Sequence, residues 1–203
     1  MPMNSGQTAL SAAPPPGRVE RFALAWKAKV LLLFGLQARA NEVFEDILRR
    51  APHDVYALNS LGYAALQRGE HRVAHRYFEQ GLELSPQLSN AHFNLAFVAE
   101  LLGMLEAAEQ GFRAALAIEE KMDRAWYGLA VVLVRQGRLE EALLALKRNT
   151  TLQPMSPFGW YQLARVHVDL KQPEEARAVI RHLKGFEPKV AAQLERETGL
   201  RPV

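Results

Sequence analysis

Cysteine is absent from all 203 residues. That excludes disulfides, thiolate metal sites, a cysteine nucleophile and the lipidated cysteine of a lipoprotein anchor. Long apolar runs are missing too, because no stretch approaches the roughly 18 consecutive residues that span a bilayer. A one-signed charge excess is equally lacking: 25 Lys and Arg stand against 22 Asp and Glu, a net of +3 that is spread along the chain. This balance argues against a nucleic-acid partner. Finally, there is no phosphate-binding glycine loop, HExxH pair or GxSxG elbow, so an enzyme would have no anchor for its chemistry and no cofactor is expected.

What the chain does have is a composition 49% hydrophobic, enough for a substantial folded core. Prolines stand at 52, 86, 154 and 188, two gaps of 34 and one of 68, with Glu120 at the vacant fifth place. A fixed period in this range sets the architecture of a whole chain. With the proline at position 32 of each unit, units begin at Arg21, Val55, Ser89, Asp123 and Pro157 without an insertion. Small residues then recur at position 8 (Ala28, Gly62, Ala96, Ala130, Ala164) and position 20 (Ala40, Ala74, Ala108, Ala142, Ala176). Large ones recur at position 24 (Phe44, Phe78, Phe112, Leu146, Ile180), so knobs face holes. Glycine at position 15 (Gly35, Gly69, Gly103, Gly137) predicts a turn between two helices per unit. Glu140-Glu141 and Glu174-Glu175 fall in the first turn of second helices, where the dipole favours them, and are read as helix starts rather than catalytic pairs.

These residues, with Trp126 and Trp160 at position 4, resemble the tetratricopeptide repeat, whose pattern is W-x2-L-G-x2-Y, A-x3-F and P at a 34-residue period. The resemblance implies an all-α fold, a right-handed α-solenoid of helix-turn-helix repeats, with five repeats over 21–188 (21–54, 55–88, 89–122, 123–156 and 157–188). Residues 1–20, rich in Pro and Ala with Pro14-Pro15-Pro16, are expected to form a disordered tail, and 189–203 a capping helix and tail. Glu120 departs from the pattern at the proline, Asn149 and Leu183 at the small residue of position 27, and Lys171 at the turn glycine.

The resemblance further implies a concave groove lined by positions 2, 5, 6, 9, 12 and 13 of each first helix, where tetratricopeptide proteins bind an extended segment or helix of another protein. Candidate contacts are Tyr56, Asn59, Tyr63, Asn90, Phe93, Asn94, Phe97, Arg124, Tyr127, Phe158, Tyr161 and Arg165. Rings supply contact area at low entropic cost, and amides can bond a peptide backbone. Because unpaired buried polar groups are costly, these polar neighbours favour a binding face over mere packing. The chaperone-type carboxylate clamp is matched only by Asn94 and Arg124, since Asn59, Tyr63 and Gly128 replace its other residues.

The expected function is therefore a non-enzymatic scaffold, adaptor or co-chaperone in the cytoplasm. The first helix suggests an alternative. Phe22, Trp26, Leu32 and Leu33 make it apolar nearly all round, which suits self-association into a homo-oligomer or, beside Lys27 and Lys29, a peripheral membrane contact. Arg18, Arg21, Lys27 and Lys29 before Val30–Phe34 imitate a signal peptide, but the basic region would be overlong and the repeat frame accounts for the same residues. His71 and His75 stand four apart without a third ligand nearby, so no metal is expected.

Overall fold

The structure, a computed structural model, describes residues 14–200. Among them are eleven α-helices and no strand, the all-α architecture of helix-turn-helix repeats. The chain divides into two compact units, residues 1–84 and 85–203. The first holds two helix pairs, α1 (Arg18–Leu33) with α2 (Gln37–Arg50) and α3 (Val55–Gln67) with α4 (His71–Leu84). The second holds three, α5 (Ser89–Leu101) with α6 (Leu105–Ile118), α7 (Asp123–Arg135) with α8 (Leu139–Leu152) and α9 (Pro157–Asp169) with α10 (Pro173–Lys184), followed by α11 (Pro188–Thr198).

Local chemistry starts and stops these helices. Pro157, Pro173 and Pro188 each occupy a first turn, where the missing N–H is no loss, and Asp54 caps α3 by accepting from the Ala57 amide at 3.0 Å. The turn inside each of the first four pairs closes through Gly35, Gly69, Gly103 and Gly137 at φ 71°, 73°, 77° and 75°. Lys171 takes the same left-handed conformation at φ 57° in the fifth pair, where its Cβ crowds the following carbonyl. The turn geometry thus follows from the packing of the pair rather than from the residue. Lys171→Gly is accordingly expected to stabilise the second unit by about 1 kcal/mol and raise the melting temperature by about 2–4 °C. A fall in the melting temperature would show that the lysine side chain contributes more than its backbone strain costs.

Packing follows the small and large positions. The position 20 alanines are fully buried, and the first unit builds its core from Ala28, Ala40, Val43, Phe44, Ile47, Ala57 and Leu61. In the same unit the Phe78 ring fills the space over Gly62, where an added Cβ would lie 2.6 Å from the ring. The second unit's core runs from Ala96 to Leu194 and includes Phe112, Leu146 and Ile180.

Position 4 has a role that its rings alone did not disclose. Trp126 Nε1 donates to the Glu120 carbonyl and Trp160 Nε1 to the Pro154 carbonyl, both at 2.8 Å. His92 Nε2 lies 2.9 Å from the Pro86 carbonyl, an acceptor that fixes this nitrogen as the protonated one. Each bond joins a first helix to position 32 of the preceding repeat. Since position 32 contributes its carbonyl, Glu120 serves as well as proline.

A buried charge ties α6 to the next pair. Glu109, 6% exposed, accepts from Arg138 at 2.6 Å and Gln136 at 2.9 Å and pairs with Arg113. Burial pushes its carboxyl up, but those hydrogen bonds and the two guanidinium charges outweigh it and hold it below the usual range. Glu141, one of the acidic residues read as a helix start, sits in the first turn of α8 and grips Arg138 at 2.6 Å.

The ends show one difference from expectation. Residues 18–20 belong to α1 rather than to a tail, because Arg50 ties the segment down through Glu20 at 2.7 Å and the Pro14 carbonyl at 3.1 Å. Of the rest of the expected tail, residues 14–17 form no helix or strand and 1–13 lie outside the described residues. At the other end α11 buries Ala191 and Leu194 and turns Lys189, Gln193 and Arg196 outward.

Candidate functional site

In the second unit the first helices α5, α7 and α9 present one common side. On α5, Phe93 and Phe97 stack with centroids 6.2 Å apart and planes 8° apart. The Arg124 guanidinium of α7 lies 4.6 Å over the Phe93 ring and donates to Asn90 Oδ1 at 2.6 Å. Arg124 forms no ion pair among the described residues. Phe97 and Leu101 are about two-fifths open, and Tyr127 and Val134 of α7 are half-buried. Phe158 at the start of α9 is 70% exposed.

Several residues on this side, the predicted contacts Tyr161 and Arg165 among them, have internal partners. Arg135 bonds the Glu100 carbonyl at 3.0 Å and its carboxylate, bridging α7 to α5. Tyr161 donates its hydroxyl to Glu197 at 2.6 Å, and Arg165 reaches the same carboxylate at 3.1 Å. The Tyr161 hydroxyl, then Gln193, and the Arg165 charge hold the Glu197 carboxyl below its ordinary range, while the same bond raises the tyrosine. Glu197 on α11 therefore occupies the place where a partner would meet Tyr161 and Arg165. Asn94 is buried, 5% exposed, and belongs to the interior. Asn90, Arg135, Tyr161 and Arg165 thus each have a partner on another helix of the unit. Glu197 was not anticipated; its signal was the capping helix itself, whose orientation the sequence does not state.

The first unit has its own first-helix side. Tyr56 and Tyr63 are exposed on α3, each edge-on to a buried ring, Phe44 at 5.7 Å and Phe78 at 5.3 Å. The Asn59 amide donates to the Val55 carbonyl at 2.9 Å and faces the α4 backbone at Gly81. Lys29 on α1 stands 6.0 Å over Trp26 and 5.4 Å over Tyr56, which joins the α1 and α3 surfaces. A cleft of about 470 Å³ opens beside them between Arg18, Phe22, His53 and Tyr56, with Arg21 paired to Asp54 at 3.3 Å on its wall. Phe22, Trp26, Leu32 and Leu33, the residues singled out for self-association, are all exposed.

No group of three His, Asp or Glu side chains that could hold a metal occurs among the described residues, and no helix of theirs is long and apolar enough to cross a membrane. His167 is buried with its Nδ1 2.7 Å from Gln172 Oε1.

Family models described as tetratricopeptide repeat match residues 27–71, 55–88 and 77–110, and the model for the anaphase-promoting complex, cyclosome, subunit 3 matches 103–183. No curated protein matches the sequence. Among solved structures, YrrB, described as a TPR protein with an unusual peptide-binding site, is 18% identical with a TM-score of 0.73, covering 85% of this chain and 90% of its own. MamA from Desulfovibrio magneticus RS-1 is 19% identical with a TM-score of 0.72, covering 87% and 95%. A chain of the APC/C hetero-tetramer Cut9-Hcn1 is 19% identical at 0.72, but only 35% of it is covered. At these identities the likeness establishes the fold.

Proposed function

Because the chain belongs to the tetratricopeptide-repeat family, a family of protein-interaction modules, we propose that it is a cytoplasmic scaffold whose second unit binds an extended segment of a partner protein along α5, α7 and α9. The observation that carries this reading is the open row Phe97, Leu101 and Phe158 beside Arg124, a cation with no ion-pair partner among the described residues. Phe97, held by its stacking on Phe93, offers area at little entropic cost, and a guanidinium over an aromatic face still has N–H groups to give. The fitting ligand is a peptide with apolar or aromatic side chains and one carboxylate, placed at Arg124. The α9 end does not take that carboxylate, since Glu197 already supplies one there. YrrB, by its description, also binds a peptide on this fold.

The test is a displayed peptide library selected on the full chain, followed by titration of the enriched peptides. Arg124→Ala and Phe97→Ala are each expected to weaken binding about tenfold with helicity unchanged, and added salt should weaken it further. Peptides that bind both variants as tightly as the parent would remove the binding site from this face.

A further inference from the structure

Helix α1 carries two faces. Leu24, Ala25, Ala28 and Leu31 turn toward its own unit, where Ala28 is completely buried. On the opposite side, at about 100° per residue, Val19, Phe22, Trp26, Val30 and Leu33 form a second stripe, with Phe34 at its rim. Val19, Leu33 and Phe34 are 84%, 81% and 73% exposed, and Phe22 and Trp26 more than half. Together these side chains leave on the order of 600–700 Å² of apolar surface in water, above the roughly 300–600 Å² of the largest patch on an ordinary monomer and near the roughly 800 Å² per partner of a standard interface.

Position in the repeat shows that this face is built to be covered by a helix. Positions 3 and 10 of α7 are Ala125 and Val132, both completely buried in the second unit, where α6 packs on α7. The same positions of α1 are Ala23 and Val30, and both are exposed. The far end of the chain does not supply the cover in a second copy, because the outward side of α11 is Lys189, Gln193 and Arg196.

The stripe is matched by a second copy of itself. The stripe reads 19, 22, 26, 30, 33, which is −7, −4, 0, +4 and +7 about Trp26. An identical helix running antiparallel across a two-fold axis at Trp26 sets Val19 against Leu33 and Phe22 against Val30, each pairing made twice. A two-fold pairing of this kind is what an isologous interface requires, and the exposed area is near what one partner of a standard interface buries, so the occupant is a second copy of this chain. We propose that α1 is a homodimer interface, pairing antiparallel with α1 of a second copy about Trp26. This goes beyond the peptide-binding reading and does not rest on it.

Sedimentation equilibrium of the full chain at tens of micromolar should give a dimer, and Trp26→Glu should shift it to monomer with at least a hundredfold weaker association and an unchanged circular dichroism spectrum. Orientation is tested separately, because the chain has no cysteine of its own. Lys27→Cys, on one flank next to the axis, should be cross-linked to its symmetry mate by a short bismaleimide, whereas exposed Glu175→Cys on α10 should not. A dimer indifferent to Trp26→Glu, or one cross-linked through Glu175→Cys and not through Lys27→Cys, would overturn the proposal. So would a monomeric parent: one that floats with anionic phosphatidylserine vesicles would assign the face to lipid, and one that dimerises only when residues 1–13 are removed would assign it to that segment.

Discussion

Phe112→Ala is expected to destabilise the second unit by about 3–5 kcal/mol in chemical denaturation. The ring is completely buried at position 24, inside the largest apolar cluster, and stands 5.8 Å from Phe93. Its neighbour on α7 is Gly128: a Cβ there would lie 2.4 Å from the ring, closer than carbon atoms pack. Gly128→Ala alone should therefore overpack the contact and cost about 1–3 kcal/mol. In the Phe112→Ala background the added methyl enters vacated space, so its cost should vanish or reverse. That coupling, measured as a double-mutant cycle, is the decisive quantity. Additive effects would mean that the helices move apart rather than meet as knob and hole.

A second cycle concerns Gly159 and Asn149. Asn149, 5% exposed, donates its amide to the Asp123 carbonyl at 2.9 Å, and its Oδ1 would lie 2.0 Å from a Cβ on Gly159. Gly159→Ala must expel the asparagine, forfeiting that bond and straining the α8–α9 contact, at a cost of about 2–4 kcal/mol. The preceding repeat has Ala115 and Ala125 at the equivalent positions. Asn149→Ala together with Gly159→Ala restores that ordinary pair, and the double variant should be more stable than Gly159→Ala alone. If the double variant melts lower still, the two residues are not a compensating pair.

Asn149 illustrates why a departure from a repeat pattern is hard to weigh from sequence. It reads as an irregularity at position 27, yet the structure makes it a bonded interior residue whose room comes from a glycine ten positions on. Lys171 is similar, since the turn keeps its left-handed geometry without the glycine. Glu120 is tolerated because a carbonyl is what Trp126 needs there.

The repeat, its frame, the helix pairs and the small and large inward positions can be read from the chain's residues alone. Those follow from a fixed rise and turn per residue, so a 34-residue period of small and large side chains names its own inward faces. The residues also mark α1 as too apolar for an ordinary end. Which groove residues are engaged internally emerges only once the helices are packed. Arg124 meets Asn90 across 34 residues, Arg135 meets Glu100 across 35, and Arg165 meets Glu197 across 32. Such partners depend on the offset and crossing of packed helices, set by side-chain volumes throughout the core and not by the local period.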